Sequence, residues 1–322
     1  MKKIFKILSI IAGSLIALSL ILTLISFAIV GFKFEKLSNL KTKDFYFEES
    51  VATPVQNITI KYESSADIKL NFTDESVFSV SYQGLLTKNN RKVSTFRIDN
   101  TGNSILISEN HNFARSLSIF GKTLKVNLSI PKDRSYKINI ENNTGDIHVL
   151  GECNSSFLTL ETDTGDIFAN AQNTKITCAE TLNLSTDTGD IYLNNATSKK
   201  LIASSDTGDI FLYKCEIEEE TKIESDTGDV KILGEFKTNK LNVEVDTGDL
   251  KTSKNGLIDA LNLKIESDTG DVRIKLCGLQ SDYTISATTD TGSCNLSNSF
   301  NGTKTLRIDV DTGDIYVTFS QS

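Results

Sequence analysis

Cysteine patterns that bind metals or build disulfide frameworks are missing from this sequence. The cysteines form no Cys-x-x-Cys pair and have no histidine at metal-ligand spacing, which argues against a zinc site. Their odd number also disfavours a disulfide framework. We therefore predict that they serve as small, buried apolar side chains. They are Cys153, Cys178, Cys215, Cys277 and Cys294.

An excess of basic residues is missing too. The chain has 34 Lys and Arg against 42 Asp and Glu, which gives a net charge of −8. Proteins bind the phosphates of DNA and RNA with basic faces. The charge balance therefore argues against a nucleic acid as partner.

The sequence is instead dominated by one phrase, Asp-Thr-Gly-Asp, which an apolar residue usually follows. The phrase recurs every 19 to 24 residues, a spacing that is typical of stacked coils in a solenoid. Its glycines are Gly145, Gly165, Gly189, Gly208, Gly228, Gly248, Gly270, Gly292 and Gly313.

Apolar and polar residues alternate on both sides of each glycine. With the glycine as position 0, apolar residues occupy −7, −5, +2 and +4, as Leu201, Ala203, Ile210 and Leu212 do around Gly208. This period of two predicts a strand, a tight corner and a second strand, and it lacks the i, i+3, i+4 spacing of a helix. We expect the glycine to adopt a positive φ, while Asp and Thr side chains satisfy backbone groups of their own corner.

One long apolar segment precedes the repeats. The 26 residues between Lys6 and Lys33 carry no charge, and as a helix they would span roughly 39 Å, more than the ~30 Å hydrocarbon core of a bilayer. This favours a retained single-pass anchor in the cell membrane with the repeats outside the cytoplasm. A cleaved signal peptide with Ser26 and Ala28 at its cleavage site is the alternative.

The predicted fold is thus all-β: a single-stranded, right-handed parallel β-solenoid preceded by one transmembrane helix. The right hand follows the general preference of crossovers between parallel strands. Residues 1–6 form a short basic N-terminus, 7–32 the transmembrane helix, 33–54 a juxtamembrane linker and 55–322 the repeat domain. Residues 64–70 are predicted to be a degenerate corner, and residues 100–103 an imperfect one.

A family resemblance rests on the strand Leu124–Pro131, the alternation that begins at Tyr136, and the first complete corner at residues 143–147. A strand that ends in proline, followed by repeated Gly-Asp-apolar corners, resembles the bacterial "putative adhesin" family also called Toastrack, over about residues 55–320. The resemblance implies a β-helix-like solenoid on the bacterial cell envelope, linked to surface adhesion or envelope stress. The expected function is a non-enzymatic binding or scaffold module.

Two other functions stay open. A carbohydrate-active β-helix enzyme could use paired carboxylates as acid and base, but these carboxylates repeat from coil to coil, whereas an active site is a singular cluster. Asp-Thr-Gly is also the phrase of aspartic proteases, yet only Asp290 to Ser293 adds the serine that those sites often carry. The second alternative is a purely structural surface spacer. We predict no catalytic residue.

Three aromatic residues at position +3 form a candidate ligand surface: Phe168, Tyr192 and Phe211. Aromatic rows on solenoids can contact sugars or proteins, so an envelope polymer or protein is the expected partner. Rings on neighbouring strands also stack on one another as structural ladders, and this alternative is favoured.

The acidic residues at positions −2 and +1 form a candidate cation edge. Carboxylates repeated at the ~4.8 Å spacing of strands repel one another, and hard cations such as Ca²⁺ would relieve that repulsion. Hydrogen bonds within each corner would relieve it as well, so binding should be weak; no other cofactor is expected. The candidate ligands are Asp206, Asp209, Asp226, Asp229, Asp246 and Asp249.

Overall fold

One continuous sheet of 21 strands winds through the part of the chain that the computed structural model describes, residues 41–48, 55–86, 89–90, 92–111, 123–169 and 175–320. In chain order the strands are β1 Lys41–Glu48, β2 Asn57–Thr73, β3 Ser79–Leu86, β4 Lys92–Thr101, β5 Ser104–His111, β6 Leu124–Pro131, β7 Tyr136–Thr144, β8 Ile147–Leu150, β9 Cys153–Thr164, β10 Ile167–Ala169, β11 Ile176–Thr188, β12 Ile191–Thr207, β13 Ile210–Thr227, β14 Val230–Ile232, β15 Glu235–Thr247, β16 Leu250–Thr252, β17 Leu257–Thr269, β18 Val272–Cys277, β19 Tyr283–Thr291, β20 Lys304–Thr312 and β21 Ile315–Ser320.

Parallel pairing in register stacks the glycine coils. Ile191, for example, pairs with Ile167 of one neighbouring coil and Ile210 of the other. The predicted columns at −7, −5, +2 and +4 line the core, where nearly every member is buried. The partly exposed members are Thr252 and, in the coil of Gly292, Ala287, Cys294 and Leu296. The predicted strand–corner–strand coil is therefore confirmed, while the predicted right hand of the winding stays a prediction.

The N-terminal end of the stack begins with β2. Its corner at residues 64–67 receives the coil of Gly145, with Ala66 in the place of the glycine, which confirms the degenerate corner. The predicted corner at residues 100–103 is wrong. Thr101 pairs with Ser104 in an antiparallel hairpin of β4 and β5, and Gly102 has a φ of 64°.

Antiparallel strands cover this first coil. β6 continues the stack beside β2, then β3 pairs with β6 and β1 pairs with β3, both antiparallel. β1 therefore occupies part of the segment that the sequence assigned to a linker. Phe45 and Phe47 alternate with more exposed neighbours, as expected of a strand that turns one of its two faces toward the core.

The order of the coils at the C-terminal end differs from their order in the chain. β20 pairs with β17 on one side and with β19 on the other, and β21 pairs with β18. The coil of Gly313 therefore lies between the coils of Gly270 and Gly292. As a result, the last coil of the stack is the one formed by residues 283–303.

The predicted transmembrane helix is not part of this fold, and the fold prediction is wrong on that point. No helix in the described ranges is long and apolar enough to cross a membrane, and the fold there is all-β apart from a short 3-10 helix, Gln280–Asp282. The predicted span, residues 7–32, lies outside the described residues.

Candidate binding face along the corners

Glycine is required at the corners for two reasons. From Gly165 to Gly313 the corner glycines have φ between +146° and +152°, a region that other residues rarely adopt, as predicted. Each also stacks directly on the glycine of the coil beneath it: a Cβ on Gly228 would lie 2.1 Å from the carbonyl oxygen of Gly208. The backbones of neighbouring corners therefore approach too closely for any side chain.

A column of small polar residues at position −3 lies inside each corner, and the sequence analysis missed it. Thr186 Oγ1 donates to the carbonyl oxygen of Gly165 at 3.0 Å, and Ser205 Oγ to that of Gly189 at 3.1 Å. The signal was present, because this column contains almost only Ser, Thr and Asn: Asn142, Thr162, Thr186, Ser205, Ser225, Ser267 and Thr289, with Val245 and Val310 as exceptions.

The aspartates at position +1 connect each coil to the next. Oδ1 of Asp209 accepts the backbone N–H of Asp229 at 2.8 Å, and Oδ1 of Asp229 accepts that of Asp249 at 2.9 Å. Equivalent bonds run from Asp67 at the first coil to Asp314, whose Oδ1 accepts the N–H of Ser293. The carboxylates therefore satisfy the backbone of the following coil rather than of their own corner. We call this row the aspartate ladder.

Side chains at position +3 hold the second oxygen of many of these carboxylates. Lys231 Nζ lies 2.5 Å from Oδ2 of Asp209 and 3.1 Å from Oδ2 of Asp229. Lys251 pairs with Oδ2 of Asp249 in its own coil. Burial alone would raise the pKa of Asp209 and Asp249, but the hydrogen bond from the lysine and the backbone N–H of the next coil outweigh it, and both pKa values lie below the ordinary value.

The three predicted ligand-surface aromatics stack in one row with His148. The ring centroids of His148 and Phe168 are 4.7 Å apart, those of Phe168 and Tyr192 are 5.0 Å apart, and those of Tyr192 and Phe211 are 4.7 Å apart, with interplanar angles of 9° or less. Lys231 Nζ covers the far end, 5.0 Å from the centroid of Phe211. We call this row the aromatic ladder; its rings cover one another's faces and leave their edges at the surface.

Electrostatics differ along the aromatic ladder. Tyr192 donates from its hydroxyl to Oδ2 of Asp190 at 2.8 Å, and burial together with this bond raises the pKa of Tyr192 to about 12. At His148, burial and the nearby Lys69 lower the pKa and outweigh the surrounding carboxylates. No side chain in the described ranges donates to the second oxygens of Asp146 and Asp166, and these two partly exposed carboxylates lie near His148.

The six predicted cation ligands lie in two separate columns. Asp209, Asp229 and Asp249 belong to the aspartate ladder and already accept hydrogen bonds. The other three, Asp206, Asp226 and Asp246, are exposed and line a surface depression of about 360 Å³ together with Glu224 and Glu244. No group of three or more His, Cys, Asp or Glu side chains in the part of the chain described could hold a metal ion. Weak cation binding stays a prediction.

The protease-like phrase is one more corner. Asp290 is exposed, and Ser293 donates from both its backbone N–H and its hydroxyl to Oδ1 of Asp314, at 2.8 and 2.9 Å. Ser293 thus receives the last step of the aspartate ladder. Of the cysteines, Cys153, Cys178 and Cys215 are buried as predicted, whereas Cys277 and Cys294 are partly exposed; all five are free thiols.

Comparisons with known proteins find a matching family model and similar solved structures. The model of the Toastrack DUF4097 family matches residues 55–318. A "putative adhesin" from Bacteroides fragilis is similar in structure, with a TM-score of 0.44 and 16% identity over 73% of this chain and 97% of its own. A second, from Parabacteroides distasonis, has a TM-score of 0.43 and 14% identity over 85% and 97%. No curated protein matches the sequence.

Proposed function

Because this chain belongs to the Toastrack family, we propose that it is a non-enzymatic, adhesin-like binding module of the bacterial cell envelope, located outside the cytoplasm. The family supports an adhesin-like module. The repetition of the carboxylates supports the non-enzymatic role, since each is one member of a uniform column rather than of a singular cluster.

The observation that carries the proposed binding role is the His148 and Phe168 end of the aromatic ladder, which we call its open end because no described side chain donates to the second oxygens of Asp146 and Asp166 there. The rings of Phe168, Tyr192 and Phe211 cover one another, so a sugar ring has no aromatic face on which to stack there. Ring edges and the open carboxylates of Asp146 and Asp166 remain. These groups suit an elongated envelope polymer or protein that lies along the stack and presents amino groups or other hydrogen-bond donors.

Substitution of the two open carboxylates tests this role. In Asp146→Asn/Asp166→Asn, the amide oxygens can still accept the backbone N–H bonds of the aspartate ladder, whereas the negative charges are lost. The full chain, immobilised on beads, should retain labelled fragments of bacterial envelope, and this variant should retain at least about fivefold less. The matched control, Asp163→Asn/Asp187→Asn, changes exposed carboxylates of the −2 column and should bind as the wild type does.

The same experiment separates the alternatives. Retention of no envelope fraction by the wild type would favour the structural spacer. Release of shortened saccharides from the bound material would favour the carbohydrate-active enzyme. Equal loss of binding in both double variants would mean that general negative charge, and not the open end of the aromatic ladder, attracts the partner.

A further inference from the structure

The last coil of the stack differs in composition from all the coils beneath it. Residues 283–303 contain a single charged side chain, Asp290, whereas residues 257–277, also 21 residues, contain seven. This coil is outermost because the coil of Gly313 is inserted before it. We call its outward surface, formed by residues 283–303, the end face.

Hydrogen bonding on the end face is incomplete. The segment after the corner folds back over β19, where Ile285 and Ser299 exchange backbone hydrogen bonds and Ala287 donates to Oδ1 of Asn298. Beyond Ala287, the outer edge of β19 has no strand partner among the described residues. Native proteins usually protect such an edge with charged side chains, and here they are missing.

An exposed aromatic side chain lies on the same surface. Phe300 follows Ser299 in the folded-back segment and is 83% exposed, the highest value among the large apolar side chains described. Ala287, Cys294 and Leu296 of the same coil are only partly buried. An aromatic residue within a surface depleted of charge is the composition typical of the centre of a protein interface.

We propose that the end face binds the end face of a second copy of this chain, which gives a head-to-head dimer. A chain with a net charge of −8 repels its own copy over most of its surface. When two end faces meet, each brings only one charged side chain, Asp290, into the contact. The corner itself supports this pairing, because Ser293 replaces the aspartate that every other glycine corner carries at +1 and so removes a carboxylate from the contact.

The proposed contact uses the same surface on both partners. Such an isologous contact is complete with two copies, whereas a head-to-tail contact would continue into a filament. Growth is also blocked at the opposite end, where antiparallel strands cover β2. The product is therefore a dimer of about twice the stack length.

Analytical ultracentrifugation of the full chain in detergent, over a range of concentrations, tests the contact. We expect a monomer–dimer equilibrium, and Phe300→Lys should raise its dissociation constant at least about tenfold, as changes at central interface aromatics do. The control Tyr316→Lys alters an aromatic that is 54% exposed but lies on the lateral surface of the stack, and it should leave the equilibrium unchanged.

Disulfide trapping distinguishes this contact from association through any other part of the chain. Asn301→Cys places a thiol beside Phe300, so mild oxidation should yield a covalent dimer that Phe300→Lys in the same chain abolishes. Asn154→Cys, exposed on β9, should yield none above the wild-type background. A monomer at all concentrations, a dimer insensitive to Phe300→Lys, no crosslink at position 301, or a series of higher oligomers would each overturn the proposal.

Discussion

At the scale of single residues, the corners combine a backbone requirement with a contact requirement. A φ near +60°, as at Gly102, is open to Asn or Asp at some cost, but the corner glycines from Gly165 to Gly313, with φ between +146° and +152°, lie in a region that other residues rarely adopt. The stacking of one glycine on the next excludes other residues independently, because any Cβ would overlap a carbonyl oxygen of the coil beneath. Recurrence of glycine in every full repeat therefore reflects the distance between coils as much as the turn.

Gly228→Ala should destabilise the protein by about 3 kcal/mol or more, since it adds both backbone strain and a contact of 2.1 Å with the Gly208 carbonyl. Gly102→Ala is the control, because Gly102 also has a positive φ but no atom within 4 Å of an added Cβ; it should cost about 1 kcal/mol. Denaturant titration measures both. Equal losses would contradict both the extra backbone strain and the close contact at the corner.

The aspartate ladder should make the folded protein less stable as the pH falls into the acidic range. The pKa values of Asp209 and Asp249 lie below the ordinary value of 3.8 in the folded protein, so their stabilising contribution is complete above that pH and is lost as the pH falls further. The melting temperature of the wild type should therefore fall more steeply between pH 5 and pH 2 than that of Asp209→Asn/Asp249→Asn. Asp206→Asn/Asp246→Asn, in the exposed column, should keep the steep wild-type dependence.

At the scale of elements, the outer faces of neighbouring strands act as continuous rows. A residue at +3 contacts its own coil and the one beneath, so its effect cannot be judged from its own strand. Lys231 shows this: it pairs with Asp209 and Asp229 and covers the ring of Phe211, although by alternation alone it is an ordinary solvent-facing residue.

Lys231→Asp should therefore destabilise the protein by about 1–2 kcal/mol, because it removes two ion pairs and places a third carboxylate beside two others. Lys231→Gln, which removes the charge but keeps the length of the side chain, should cost less. Thermal melts at 0.05 and 1 M NaCl measure the effect, and the difference between the variants should shrink at high salt. A melting temperature unchanged by Lys231→Asp would contradict the role of this row.

Calcium titration tests the predicted cation edge and compares its two columns of aspartates, at positions −2 and +1. Millimolar Ca²⁺ should raise the melting temperature slightly, as weak extracellular sites do. Asp226→Asn/Asp246→Asn should remove the rise, because these exposed side chains have open oxygens. Asp229→Asn/Asp249→Asn should keep it, because that column is already hydrogen-bonded. If Ca²⁺ does no more than matched ionic strength, the carboxylates do not hold a cation.

At the scale of the whole molecule, the coil of Gly313 lies beneath residues 283–303, so the stability of that last coil depends on the order in which the coils stack. Among the described residues, β19 has β20 as its only strand partner apart from the Ser299 bridge, so residues 283–303 depend on a segment that follows them in the chain. The end face therefore forms only after the chain has been completed to β21.

Removal of residues 304–322 should expose the backbone amides of β19 to rapid hydrogen exchange, while β13 and β15 stay protected. Removal of residues 321–322 alone is the control and should change neither. If the coils were stacked in chain order, the longer truncation would leave β19 on top of β17 and still protected. Mass-spectrometric hydrogen exchange distinguishes the two results.

The sequence by itself determined the coil, because its causes are local: alternation fixes which side chains face the core, and a recurring glycine fixes the corner. It also indicated the family. The tertiary structure decided what depends on contacts between coils: the aspartate ladder, the open carboxylates of Asp146 and Asp166, the hairpin at Gly102 and the insertion of the last coil. Repeats with similar inward-facing columns can stack in several orders with similar core burial, so spacing along the chain does not fix which coil lies at the end; pairing between distant strands does.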